Sequence, residues 1–158
     1  CEQILLFDAD IVVHQDATLT VKEEIIVQAC GQAIRHGIVR EFPTIYADTF
    51  GNKHVIDFAL QEVLLNGKPI AYKVESKQNG IYIYIGNPHM YLPEGVYTFT
   101  LVYSVNRQLG FFDTHDELYW NVTGNGWRLP IKQVHARVSL PQGIDITEIK
   151  TDGYTGFY

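Results

Sequence analysis

The chain has 158 residues, 46% of them hydrophobic and 19% charged, enough apolar material for one sizeable core and too much for a disordered segment. Lys and Arg number 12 against 18 Asp and Glu, a net charge of -6, which excludes the clustered basic surface that nucleic-acid binding requires. No run approaches the roughly 20 apolar residues that cross a bilayer as a helix.

In chain order, the apolar residues repeat with a period of two, the mark of half-buried strands. Leu5, Phe7, Ala9, Ile11 and Val13 share one phase. After a loop over His14 to Thr18, Leu19, Val21, Ile25, Val27 and Ala29 keep the same phase, with Glu23 the one mismatch. Further strands are predicted over Val55 to Leu65, Ile70 to Ser76, Ile81 to Gly86, Val96 to Arg107 and Val134 to Leu140. Asn66-Gly67 and Asn79-Gly80 fall between such runs, and Asn-Gly supplies the positive φ values of a tight hairpin. No window shows a 3.6-residue period, so the fold class is all-β. Leu92-Pro93-Glu94-Gly95-Val96-Tyr97 leads into alternating Phe99, Leu101 and Tyr103, and it resembles the tyrosine corner of immunoglobulin-like domains. The expectation is an immunoglobulin-like or related antiparallel β-sandwich with Tyr97 bonding back to its corner.

Such a sandwich needs about 100 residues. The surplus lies in two stretches without clean alternation, Gly31 to Lys53 and Gln108 to Lys132, both read as long loops, where binding or catalysis commonly resides. The second gathers Asp113, His115, Asp116 and Glu117, with Trp120 and Trp127 close behind. These carboxylates suit a hard cation such as calcium, acid and base work on a glycosidic bond, or a plain solvated turn. The tryptophans suit either a sugar-stacking platform or a seal on the core edge. The first stretch carries Arg35 and Arg40, guanidinium forks suited to carboxylates, which predicts Arg–carboxylate pairs joining the two loops, Arg40 with Glu117 among them. Arg35, Arg40, Asp113, His115, Asp116, Glu117, Trp120 and Trp127 are therefore the candidate ligand-binding residues.

The serines sit in strand runs without a nucleophile elbow. The six histidines and two cysteines show no His-x-x-x-His or Cys-x-x-Cys spacing, and no glycine loop cradles phosphate. No catalytic residue, cofactor or metal is expected. Extrapolated alternation puts Cys1 on the core face and Cys30 on the polar face, a parity that argues against a disulfide unless a bulge shifts one of them. A lipid-modified Cys1 and free thiols are the alternatives.

Gly37-Ile38-Val39-Arg40-Glu41-Phe42-Pro43, Gly95-x-Tyr97, Asp116-Glu117-Leu118-Tyr119-Trp120-Asn121-Val122-Thr123-Gly124 with Trp127, and Tyr154-Thr155-Gly156 together resemble the predicted-membrane-protein family known as domain of unknown function 2207. The resemblance implies a single domain over residues 1–158, following a signal peptide, facing the extracytoplasmic side and tethered by transmembrane segments beyond it. It implies no reaction. The expected role is a binding or interaction module for a protein, peptide or cell-wall glycan. A glycan-active hydrolase or carbohydrate-binding domain using Asp113 to Trp127, and a purely structural ectodomain, are the alternatives.

Overall fold

The computed structural model describes residues 1–47, 50–106 and 108–156. Its strands are β1 (Gln3–Val13), β2 (Leu19–Ala29), β3 (Gly37–Pro43), β4 (Ile45–Ala47), β5 (Lys53–Val55), β6 (Phe58–Leu65), β7 (Lys68–Pro69), β8 (Tyr72–Lys77), β9 (Gly80–Gly86), β10 (Gly95–Val105), β11 (Leu109–Phe111), β12 (Asp116–Leu118) and β13 (Val134–Ser139). Among the described residues the only helical turn is a short 3-10 stretch, Ile146–Glu148.

The alternation of β1, β2 and β10 lets each strand present one apolar row, and those rows are buried together only if the strands share a sheet facing another. Six strands do so in the order β13-β1-β2-β10-β6-β7, opposite a three-stranded sheet ordered β3-β9-β8. Phe7, Ile25, Phe99 and Leu101 of the large sheet meet Ile38, Ile83 and Ile85 of the small one in a shared core. Each such fully buried side chain contributes roughly 1.5–3 kcal/mol. The fold is an all-β sandwich, as the period-two pattern implies.

The long β1–β2 hairpin turns over His14 to Thr18 as expected, with the Asp16 carboxylate accepting from the Thr18 N–H at 3.0 Å. Asn66 and Gly67 take φ of 48° and 78° in the β6–β7 turn. The second Asn-Gly behaves differently. Gln78 and Asn79 make the β8–β9 turn, while Gly80 is the first residue of β9, opposite Pro43. A Cβ on Gly80 would collide with the Phe42 carbonyl, so Gly is needed there for close approach rather than for a positive φ. Tyr97 makes the expected corner, its hydroxyl donating to the Pro93 carbonyl at 2.7 Å.

Three expectations are corrected. Gly31 to Lys53 is not a loop throughout; it contains β3, an edge strand of the small sheet, and β4. β13 runs parallel to β1, pairing Phe7 with Val134 through Val12 with Ser139, so the large sheet is not wholly antiparallel. Cys1 and Cys30 are bonded as a disulfide with Cα atoms 6.3 Å apart. The register of β1 on β2 shifts between Ile4 and Leu6, and the buried row moves from Leu5 to Ile4. One extra residue reverses the facing of everything before it, so Cys1 joins Cys30 on the polar side of the sheet. A bonded Cys1 has no thiol left to carry a lipid.

Candidate functional site

The residue types singled out in the sequence separate into three places. The first lies inside the sandwich. Glu23 occupies the core-facing row of β2 and is 0% exposed; Arg40 occupies the core-facing row of β3, between Ile38 and Phe42, and is 2% exposed. Arg40 Nε and Nη2 donate to the two Glu23 oxygens at 2.9 and 2.7 Å, and the Tyr103 hydroxyl donates to Glu23 Oε1 at 2.6 Å. The remaining guanidinium nitrogen, Nη1, donates to the Glu41 carbonyl at 2.9 Å. The Arg40 Cζ lies 4.1 Å from the Phe42 ring centroid and 5.5 Å from that of Phe7. Burial alone would pull the guanidinium pKa down; the facing Glu23 carboxylate outweighs it and raises the value. Burial, reinforced by the same carboxylate, pushes the Tyr103 hydroxyl well above its usual range.

Arg40 therefore pairs across the two sheets with Glu23, not with Glu117. Among the described residues no ion pair joins Arg35 or Arg40 to Asp113, Asp116 or Glu117. The two long stretches do meet, but through glycine. A Cβ on Gly124 would collide with the Arg40 guanidinium, and one on Gly126 with the Glu41 carboxylate. The segment is folded down over β3 by its own bonds: Gly124 N–H to Asn121 Oδ1 at 3.2 Å and Trp127 Nε1–H to the Thr123 carbonyl at 2.7 Å. Trp127 sets its ring edge-on to Phe7, centroids 6.2 Å apart, and half-buried Trp120 packs on the same core. The Trp120 indole N–H is enclosed without a hydrogen-bond partner among the described residues. Both tryptophans sit where a core seal would sit.

The second place is the β11–β12 hairpin, which carries Asp113, His115, Asp116 and Glu117, all exposed. His115 stacks on Phe112 with centroids 5.1 Å apart, and its Nε2 stands 3.5 Å from Glu117 Oε2.

The third place is the outward face of the small sheet. On β9, Ile83 and Ile85 point into the core, so Tyr82 and Tyr84 point out. Register aligns Val39, Tyr84 and Lys73 across the small sheet, with Glu41, Tyr82 and Glu75 in the next row. Lys73 pairs with Glu75 at 2.8 Å, and the Lys77 ammonium lies 4.1 Å from the Tyr82 ring centroid. The hydrogen bond from Lys73, with the charge of that ammonium, lowers the Glu75 carboxyl. A groove of about 580 Å³ runs along this sheet, lined among others by Arg35, Val39, Lys73, Glu75 and Tyr84. Its volume falls in the range of small-ligand sites, roughly 300–1,000 Å³. Arg35 is the one sequence-derived candidate that lines it. Its Nε donates to the Gln32 carbonyl at 2.8 Å, and the neighbouring His36 ring packs at a tilt against Tyr91, centroids 4.6 Å apart. The available signal was the alternation of Ile with Tyr from Ile81 to Ile85, beside a strand bearing Lys73, Glu75 and Lys77.

The Gly31 end of this region is tied to the N-terminus. Glu2 accepts backbone N–H bonds from Cys30, Gln32, Ala33 and Ile34 at 2.6–3.1 Å. Desolvation pushes the Glu2 carboxyl up, but these four donors, Ala33 foremost, outweigh it and bring it down to about 2.

Residues 3–156 match the family model described as the N-terminal domain of a predicted membrane protein, DUF2207. The chain belongs to this family. It is 31% identical over 139 residues to the uncharacterized protein YciQ of Escherichia coli K12, an alignment covering 88% of this chain and 22% of that relative, so it spans about a fifth of YciQ's length. Among solved structures, native leukotriene A4 hydrolase from Saccharomyces cerevisiae superposes with a TM-score of 0.45 at 13% identity over 65% of this chain and 15% of that one. The M1 zinc metallopeptidase from Deinococcus radiodurans does so at 0.44 and 14% identity, over 68% and 21%. Of the two stretches that mark the DUF2207 resemblance, Gly37 to Pro43 and Asp116 to Gly124 with Trp127, Phe42 from the first and Gly124 from the second lie against the Arg40 guanidinium, with Trp127 against Phe7 close by.

Proposed function

We propose that this domain is the extracytoplasmic ligand-binding part of a membrane-anchored protein, and that the ligand lies in the groove across β3, β9 and β8. The observation that carries the reading is the presence, along one groove, of the exposed Arg35 and the outward-pointing aromatic side chain of Tyr84. That combination fits an anionic group attached to an apolar or ring-bearing body, as in a peptide carboxylate or a cell-wall muropeptide. Binding rather than catalysis is supported by the carboxylates: Asp113, Asp116 and Glu117 stand on a separate exposed hairpin and do not line the groove, and Glu75, which does, is paired to Lys73. The extracytoplasmic side is supported by the Cys1–Cys30 disulfide, a bond that persists in oxidising compartments.

Titration of the disulfide-bonded protein with soluble muropeptides and with carboxylate-terminated peptides, read by calorimetry, tests the groove. Saturable binding that weakens at least tenfold in Arg35→Ala and in Tyr84→Ala, at unchanged Tm, is the expected result. Binding indifferent to both substitutions, or no binding to either ligand class, overturns it. Alkaline phosphatase fused after the domain in the full-length protein reports the side of the membrane; an inactive fusion contradicts the assignment.

A further inference from the structure

The sandwich manages its free sheet edges unequally. β7 ends one side of the large sheet and is two residues long, Lys68 and Pro69, too short and too poor in donors to pair further. β8 is an edge of the small sheet and carries Lys73, Glu75 and Lys77, charges that discourage another strand. β13, the opposite edge of the large sheet, has no such guard on one of its faces. Its register places Val134, Ala136 and Val138 level with Phe7, Ala9 and Ile11, and hence on the side that faces the core further in. The small sheet does not reach them. Val134 and Val138 are 44% and 47% exposed while Phe7 and Ile11 are 0% and 1%.

The chain after β13 adds to this face. Leu140, Ile144, Ile146 and Ile149 join Val138 around an open hollow of about 190 Å³, with Ile146 80% exposed. The charge of the strand goes elsewhere: Arg137 bonds Asp10 at 3.2 Å on the opposite side of the sheet. The patch is a core-facing row left without a partner, of the kind that marks an interaction surface.

We infer that this face is covered by a part of the same polypeptide lying outside residues 1–158. The matched region is 22% of YciQ, and the family model describes an N-terminal domain of a membrane protein, so family members carry much further chain. The face is also built by the last strand and the segment that follows it, Leu140 to Ile149. Asp145, Glu148 and Asp152 against Lys150 give the flanking segment an acidic excess, which disfavours an anionic lipid surface as the occupant.

The test uses the full-length membrane protein in nanodiscs, in a background free of other thiols. Ile146→Cys and, as an exposed control, Phe111→Cys are labelled with a soluble maleimide; Phe111 is 68% exposed. Labelling of Ile146→Cys at least tenfold slower than of Phe111→Cys, independent of protein concentration and retained in detergent, is the expected result. Equal rates show an open face and overturn the inference. Protection that disappears on dilution points to a second copy, and protection lost in detergent points to lipid; either also overturns it. Denaturant must restore equal rates, which separates burial from slow chemistry.

Discussion

Arg40→Met is the sharpest perturbation the fold offers. The substitution keeps most of the apolar stem packed between Phe42 and Phe7 but strands the Glu23 carboxylate at 0% exposure, with the Tyr103 hydroxyl as its remaining hydrogen-bond donor. Breaking a buried ion pair by removing one partner costs about 3–5 kcal/mol, because the other charge stays buried and uncompensated. For a domain of this size that corresponds to a fall in Tm of roughly 10–15 °C. Glu23→Leu is expected to cost a similar amount, since the Arg40 guanidinium loses the charge facing it and the Tyr103 hydroxyl loses its acceptor. The double variant removes both charges and is expected to lose about 2–3 kcal/mol less than the sum of the two single losses, that difference being the coupling energy. Urea unfolding of the disulfide-bonded protein, followed by near-ultraviolet dichroism, measures all four corners of the cycle. Strictly additive losses, or an Arg40→Met protein as stable as wild type, would refute the placement of this pair in the core. The same cycle on Arg40 and Glu117 is expected to show no coupling.

Gly124 has φ of 69° and lies on the Arg40 guanidinium, so Gly124→Ala combines backbone strain with overpacking and is expected to cost about 2–4 kcal/mol. Gly153→Ala, with nothing within 4 Å, is the neutral control in the same melting assay. Reducing the Cys1–Cys30 bond frees a loop of 29 residues in the unfolded chain and is expected to cost about 3–4 kcal/mol, read as a shift of the urea midpoint with and without reductant. Glu2→Gln tests the N-terminal anchor through pH. The Glu2 carboxyl is lowered to about 2 in the folded protein, so its contribution is complete above the ordinary value of 4.5 and fades as pH falls towards 2. The partly exposed position screens it to about 1 kcal/mol. A Tm difference between wild type and Glu2→Gln that persists unchanged below pH 2.5 contradicts this origin.

Period-two alternation made most of the large sheet legible, because apolar rows on β1, β2 and β10 have one economical burial. It missed β3, and the reason is physical. Ile38, Arg40 and Phe42 form the inward row of that strand, and an arginine in the middle of such a row reads as a break. Glu23 breaks the inward row of β2 in the same way. Each mismatch is the other's explanation: a carboxylate on a core row requires a cation on a facing core row. Pairwise chemistry of that kind does not show in the periodicity of either strand alone. For the cysteines the deciding feature is the bulge between Ile4 and Leu6, the one exception the parity argument allows and one whose presence alternation does not reveal. The groove escaped notice because its side chains, Val39, Tyr84 and Lys73, come from three strands and meet only through register. The parallel docking of β13 was equally hidden, since a strand's pattern states which face is apolar but not which neighbour it has.

That parallel pairing has a mechanical consequence. β1 and β13 lie side by side and point the same way, from Phe7 opposite Val134 to Val12 opposite Ser139. Tension applied between the start of β1 and the end of β13 therefore acts along the strands, loading six residue pairs at once in shear, whereas an antiparallel neighbour would peel open one pair at a time. The Cys1–Cys30 bond fastens the start of β1 to the far end of β2, so that load is shared with the middle of the sheet. A tether pulling on the end of this domain would meet resistance from the whole ladder before any strand could leave.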